Sequence, residues 1–209
     1  MVQRSYMMGE EFIEKVTRGE RNFSRIRLQK GFDFNQHDGF AEMQNYLHGL
    51  GRQDFKRNPF DFRESMFEGV KAVGLCMPLI EGQDAYFRGA NLQGAIMPGS
   101  DFSGTNFRYA NLSGAQLDGV YFDGSDLTGA NLQNADLWKA DFFEAVLSRA
   151  DLKEANLPLA SFYGSILADA KNLEAAYISS AHFEETVVTA KQKKIIEAAL
   201  STLERFILV

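Results

Sequence analysis

One cysteine, Cys76, in 209 residues rules out an internal disulfide, so no covalent staple holds this chain together. That thrift with thiols fits a reducing compartment, and the cytoplasm is the expected location. A basic excess is also missing. The 22 Lys and Arg face 28 Asp and Glu, a net charge of −6. Sequence-independent nucleic-acid binding needs clustered cations to displace counterions, so no direct nucleic-acid contact is expected. No run approaches the roughly 18 apolar residues that a membrane span requires, and no membrane contact is expected. The opening MVQRSYMMGEEFIEKV carries acids where a secretory leader needs an apolar stretch.

Groups for chemistry are equally scarce. The three histidines are His37, His48 and His182. The first two stand 11 residues apart, which matches no metal-ligand spacing, and the third precedes an inward-facing position and should point outward. The stretch DFNQHDG fails as a calcium loop because Gly39 comes one place late and Gln44 stands where the bidentate Glu belongs. No Gly-Lys-Ser/Thr completes a phosphate loop. The expectation is a protein with no catalytic residues, no cofactor and no metal, and not an enzyme.

What is abundant is a repeat. ANLQNADLWKADFFEAVLSRADLKEANL, residues 130–157, returns a large apolar residue every five positions. Neither a helix, with its 3.6-residue period, nor a strand, with its period of two, buries that pattern on one face. Its centres run Phe87, Leu92, Met97, Phe102, Phe107, Leu112, Leu117, Phe122, Leu127, Leu132, Leu137, Phe142, Leu147, Leu152, Leu157, Phe162 and Leu167, 17 in succession. Two residues before each centre stands Ala, Ser or Thr, with Val120 the one exception.

A longer period lies inside the short one. Phe102, Phe122, Phe142 and Phe162 form a first series at 20-residue spacing, and Phe67, Phe87 and Phe107 a second. Leu92, Leu112, Leu132 and Leu152 form a third; Met97, Leu117, Leu137 and Leu157 form a fourth. Like residues every 20 positions stack if four pentapeptides complete one turn of a coil. The centres and the small residues two before them then both point inward. Glycine two after the centre in 9 of the 17 repeats marks the corners, where a positive φ is needed. Asp101, Asp126, Asp136, Asp141 and Asp151 stand before a centre, where Asn91, Asn111 and Asn131 serve equally well, which implies a hydrogen bond to backbone and not a titrating proton. Each buried Leu or Phe contributes roughly 1.5–3 kcal/mol before entropy is set against it.

The A(D/N)LxG spelling with this stacking resembles the pentapeptide-repeat family over roughly residues 59–188. The resemblance implies an all-β solenoid, a right-handed quadrilateral β-helix. At ~4.8 Å per coil, six to seven coils make a rod about 30 Å long. Residues 1–20 are expected to form an N-terminal helical cap, with Phe12, Ile13 and Val16 on one face, and 21–34 a degenerate first coil using Phe23 and Leu28. Residues 35–58 contain no pentapeptides and form an insertion with a short helix (Phe40, Met43, Tyr46, Leu47, Leu50) leaning on the rod. Residues 59–188 form the β-helix, through Phe62, Phe67, Ala72 and Met77. At Gly82 the first series lacks a side chain, and Ile80 or Leu79 is expected to fill the room. A one-residue bulge at 169–171 absorbs a slip before Leu173. Residues 189–209 are expected to be one amphipathic helix, with Ile195, Ile196, Ala199, Leu200, Leu203, Phe206 and Ile207 on its apolar face. It covers the open end and, because some relatives pair there, offers a route to a homodimer.

Function has to reside in the outward positions, and two readings of them stand side by side. Trp138 precedes Pro158 by 20 residues and Phe143 precedes Tyr163 by 20; with Leu159 they form an outward apolar patch of the kind that meets another protein. Cover of that patch by the insertion or the C-terminal helix is the structural alternative. The second reading starts from charge, since residues 85–170 hold 10 acids and 5 bases. Acidic members of the family bind type II topoisomerases at the DNA site, which would make Asp118, Asp123, Asp126, Asp136, Asp141 and Glu144 an acidic face that mimics DNA. A scaffold, or a self-associating structural protein with no other partner, is the third class.

Overall fold

A computed structural model describes residues 4–200 and 206–208. Its body is a β-helical solenoid in which parallel bridges join residues 20 apart. Asn91 pairs with Asn111, Asn111 with Asn131, and Asn131 with Asp151, and four such ladders run side by side. Each pentapeptide contributes one bridge, at the residue before its centre. Within a ladder the centre's N–H donates to the coil above, as Phe87 does to the Asn106 carbonyl at 2.8 Å. The bridging residue donates to the coil below, as Asn91 does to Val70 at 2.7 Å. Each coil is therefore a layer of short extended segments whose backbone polar groups are satisfied by its neighbours.

The corners explain the glycines and correct their role. All 17 residues two after a centre have positive φ, from +52° at Glu144 to +68° at Gly129. Nine are glycines; the others are Tyr109, Asn134, Lys139, Glu144, Arg149, Glu154, Leu159 and Asp169. The corner conformation is thus imposed by closure of the coil, and glycine relieves its cost where it occurs.

Centres and small residues share the shaft as expected, all of them buried. Phe122, Phe142, Phe162 and Phe183 stack with centroid spacings of 5.3, 4.9 and 4.7 Å. Phe67, Phe87 and Phe107 do the same at 5.0 and 5.1 Å. The gap at Gly82 is filled differently from expectation. A Cβ on Gly82 would lie 2.6 Å from Phe102 Cδ1, so Phe102 of the next coil, and neither Ile80 nor Leu79, occupies the room. Its centroid accordingly stands 6.0 Å from that of Phe122, farther than any later pair in the same stack. The slip also falls later than expected. Lys171 still pairs with Asp151 at a spacing of 20, whereas Tyr177 pairs with Asn156 at 21. The extra residue sits in a 3₁₀ turn, Leu173–Ala175, entered through Asn172 at φ 57°.

At the N-terminal end β1 (Ser5–Met7) leads into α1 (Gly9–Thr17), and β1 pairs in parallel with β2 (Ile26–Leu28). Phe12 of α1 packs at 4.7–6.0 Å from Phe23, Phe34, Phe62 and Phe67, above the shaft. The first coil bridges to positions 39 and 38 residues on, Asn22 to Asp61 and Asp33 to Lys71, so the intervening chain leaves the coil. It forms two helices where one was expected, α2 (Gly39–Gly49) and α3 (Arg52–Arg57). Met43, Leu47 and Phe55 are buried. The Arg21 guanidinium lies 4.2 Å over the Phe60 ring and donates to the Tyr46 hydroxyl at 3.3 Å, while Gln44 Oε1 accepts from Cys76 N–H at 2.9 Å. These contacts tie α2 to the coils.

At the other end β3 (Thr186–Val188) precedes α4 (Ala190–Ala199). Thr189 and Gln192 cap α4 reciprocally, and Gln192 Nε2 donates to the carbonyls of Leu167 and Ala170 at 2.8 and 3.2 Å. Both contacts fix α4 against the coils. The helix does not continue to the end of the chain as expected. It stops at Ala199, and β4 (Phe206–Leu208) pairs in parallel with β3. The physical reason is the open edge of β3, whose polar groups a further strand satisfies and a longer helix would not. Leu203 lies outside the described residues.

Candidate interaction surface

Where Asp or Asn stands before a centre, its side-chain oxygen typically accepts from the backbone N–H two residues on. Asp101 Oδ1 accepts from Ser103 N–H at 3.0 Å, Asn111 Oδ1 from Ser113 at 3.1 Å, and Asp141 Oδ1 from Phe143 at 3.1 Å. Asp and Asn accept equally well, which is why the repeat alternates them. Among the described residues no group of three or more His, Cys, Asp or Glu is placed to hold a metal ion. No helix among them is long and apolar enough to cross a membrane.

The 20-residue register assigns every outward residue to a face. We number the faces by the four series of centres. The proposed acidic face does not form: Asp123, Asp141 and Glu144 fall on the first face, Asp126 on the second, and Asp118 and Asp136 on the fourth. Sequence proximity had grouped residues that the coil turns apart. Asp126 is neutralised in place, since Arg108 Nη1 pairs with it at 2.9 Å. Burial raises its pKa, but the hydrogen bonds from Thr128 and Arg108 outweigh that and hold it below the usual carboxylate range. On the first face the acids do gather. Glu81, Asp101 and Asp141 share one ladder with Tyr121 between them. Burial, with Asp141 and Asp101 nearby, pushes the Asp123 carboxyl up.

The five residues of the expected apolar patch fall on two successive corners: Trp138, Pro158 and Leu159 at the turn between the fourth and first faces, Phe143 and Tyr163 at the next turn, across the first face. Trp138, Phe143, Leu159 and Tyr163 are 39–43% exposed, and Pro158 is half-buried. Phe143 and Tyr163 stack at 5.7 Å with their planes 5° apart. Lys139 Nζ stands 4.1 Å from the Trp138 ring, and the Tyr163 hydroxyl donates to Glu185 at 3.1 Å. Among the described residues neither the insertion nor α4 covers these side chains.

A second apolar element lies lower on the fourth face and escaped the sequence analysis. Between α2–α3 and the coils is a cavity of about 320 Å³. Leu47, Leu50 and Phe55 form one wall; Pro78, Leu79, Ile96 and Pro98 form the other. His48 and Arg52 stand on the insertion side of the rim, Asp118 on the coil side. Cys76 lies at the base, its thiol pushed up by burial. The signal for the coil wall was present: Pro78, Pro98 and Pro158 are three of the four prolines and share one position in the 20-residue register. The insertion wall carries no such signal.

Stacked coils with inward centres define a β-solenoid of the repeat-protein class. Residues 85–124, 121–158 and 145–184 match the family described as Pentapeptide repeats, and this chain belongs to the pentapeptide-repeat family. Comparison with curated proteins found no match. Several solved structures are similar. A pentapeptide repeat protein from the Arabidopsis thaliana thylakoid lumen is 22% identical, with 48% of this chain and 77% of that one covered and a TM-score of 0.32. QnrB1, a plasmid-mediated fluoroquinolone resistance protein, is 14% identical over 66% and 81% of the two chains, with a TM-score of 0.38. HetL from Nostoc sp. strain PCC 7120, a protein involved in heterocyst differentiation regulation, is 19% identical over 87% and 97%, with a TM-score of 0.29.

Proposed function

We propose that this chain is a non-enzymatic, cytoplasmic protein-interaction or scaffolding module. It is built as a right-handed quadrilateral β-helix over residues 59–188. Segments 1–20 and 189–209 cover its ends, and 35–58 is an insertion into its first coil. One observation carries the functional reading: Trp138 and Leu159, beside Pro158, and the stacked pair Phe143 and Tyr163 remain exposed on two adjacent corners of the same coils. A rod that needed only to be stable would place polar residues there, and clustered aromatics of this kind anchor protein interfaces.

A contiguous set of acids favours a second reading. On the first face Glu81, Asp101, Asp123, Asp141 and Glu144 lie beside Phe143 and Tyr163. A basic partner surface, such as the DNA site of a topoisomerase, would meet these acids. The original set of six is not the surface concerned.

The test is affinity capture from lysate of the native host, with wild type and the Trp138→Asp/Tyr163→Ser variant side by side. The expected result is a protein held by wild type, lost by the folded variant and little changed by salt. Capture of a topoisomerase that survives the aromatic changes and is lost at higher salt would support the second reading. Unfolding of Trp138→Asp would mean the patch is internal cover and would sink the first. Recovery of the chain alone, as a dimer, would favour self-association.

A further inference from the structure

Five residues at one register position form a straight column up the fourth face: Pro78, Pro98, Asp118, Trp138 and Pro158. Ladder bonds fix the column. Leu79 donates to the Pro98 carbonyl at 3.1 Å, Gly99 to Asp118 at 2.9 Å, Gly119 to Trp138 at 2.8 Å and Lys139 to Pro158 at 3.0 Å. The lower end is walled by Leu47, Leu50 and Phe55 of the insertion, and the upper end runs into Leu159, exposed next to Pro158. The only charge in the column is Asp118. Among the described residues no cation lies within ion-pair distance of it, and no carboxylate within that distance of Arg52 on the opposite rim.

We infer that this column is a linear docking site for an extended peptide segment of the partner, apolar at both ends and cationic between them, with an acidic group at the insertion end. The inference rests on the interaction-module reading and deepens it. Four coils at ~4.8 Å span about 19 Å, the length of about six extended residues at ~3.3 Å each. Charge complementarity places Lys or Arg over Asp118, midway along, and Asp, Glu or a terminal carboxylate beside Arg52 and His48. The column offers no free strand edge. The prolines have no N–H, and Trp138 N–H already donates to Asp136 Oδ1 at 3.3 Å. Recognition therefore proceeds by side chains in the cavity and against Trp138, with the occupant's own backbone left hydrated, unlike strand addition. The cavity supplies the lower apolar contact, Trp138 and Leu159 the upper one, and Asp118 between them the charge that orients the segment.

The probe is a library of phage-displayed random dodecapeptides selected on the full chain. Enriched peptides are expected to carry Lys or Arg between two large apolar residues, with an acid toward one end. Synthetic copies should lose about tenfold or more in affinity, a commonplace loss for a broken charge contact, on Asp118→Lys. They should lose as much on Leu50→Asp and on Trp138→Asp. Asp118→Asn should lie between, and exchanging the peptide's cation for Glu should restore binding to Asp118→Lys, which a purely structural effect would not do. Each variant is first checked for wild-type circular dichroism. Enriched peptides without a cation, failure to enrich any family, or indifference to both Asp118→Lys and Asn would overturn the linear site. Peptides lost on Trp138→Asp but indifferent to Asp118→Lys and Leu50→Asp would overturn it while leaving the corner patch standing.

Discussion

The vacancy at Gly82 makes a quantitative test of how the shaft is packed. Phe102 is fully buried and leans into the space that a side chain at 82 would fill. Replacing Gly82 by Leu puts a Cβ 2.6 Å from Phe102 Cδ1, about 1 Å inside normal carbon contact. The ring can retreat toward Phe122, where the 6.0 Å spacing leaves some slack, but the remaining leucine atoms have nowhere to go. Overpacking should cost about 1–3 kcal/mol. Phe102→Ala alone should cost about 3–5 kcal/mol through lost burial and a cavity among Phe87, Phe107 and Phe122. Combined, the leucine enters the volume that the phenylalanine vacates, so the clash disappears and part of the lost burial returns. The double variant is expected to be more stable than Phe102→Ala alone, with a coupling energy of about 3 kcal/mol in its favour. Urea unfolding of the four proteins measures this, with far-UV circular dichroism and fluorescence of the sole tryptophan required to coincide. Additivity within about 0.5 kcal/mol would refute the idea that Phe102 fills the Gly82 vacancy.

Buried hydroxyls offer a contrast within one structural position. Among the described residues Ser125 Oγ has no hydrogen-bond partner, whereas Thr105 Oγ1 donates to the Gly82 carbonyl at 2.7 Å. Ser125→Ala should therefore gain about 1 kcal/mol and Thr105→Ala lose about as much; a loss for Ser125→Ala in thermal melts would show that its hydroxyl has found a partner. At the corners, Arg149 is exposed with φ +63°. Arg149→Gly should gain about 0.5 kcal/mol, the relieved left-handed strain exceeding the added freedom of the unfolded chain, while Arg149→Ala should gain nothing. Charge on the first face gives a pH test. Because the folded state raises the Asp123 pKa, folding is disfavoured above the carboxylate range and relieved as pH falls through it. Asp123→Asn should raise the melting temperature at pH 7, by an amount that shrinks toward zero as Asp123 itself becomes protonated; a gain independent of pH would point to packing instead of charge.

Much of this molecule could be read from one dimension because its fold is nearly one-dimensional. Every centre contacts residues 20 positions away, so local spacing and spatial stacking carry the same information. The Phe142–Phe162 stack, the inward alanines and the Asp/Asn backbone bonds all follow from that periodicity, as does the pairing of Phe143 with Tyr163. The errors fall where the period breaks or where sequence neighbours are not spatial ones. Six acids between 118 and 144 looked like one face and are spread over three, since five residues of chain turn one corner.

What the sequence by itself determined is the period, and with it the identity of every buried position from Ala85 to Leu167. Periodicity suffices there because each coil buries its residues against copies of itself. Only the tertiary structure decided what happens outside that self-similar stretch. Phe102 crosses into the Gly82 layer, β4 rather than a longer helix pairs with the β3 edge, and α2–α3 fold back to wall a cavity over Pro78 and Pro98. Those outcomes depend on unlike surfaces meeting, and the energy of such contacts is set by shape and unsatisfied backbone in three dimensions, which no repeat encodes.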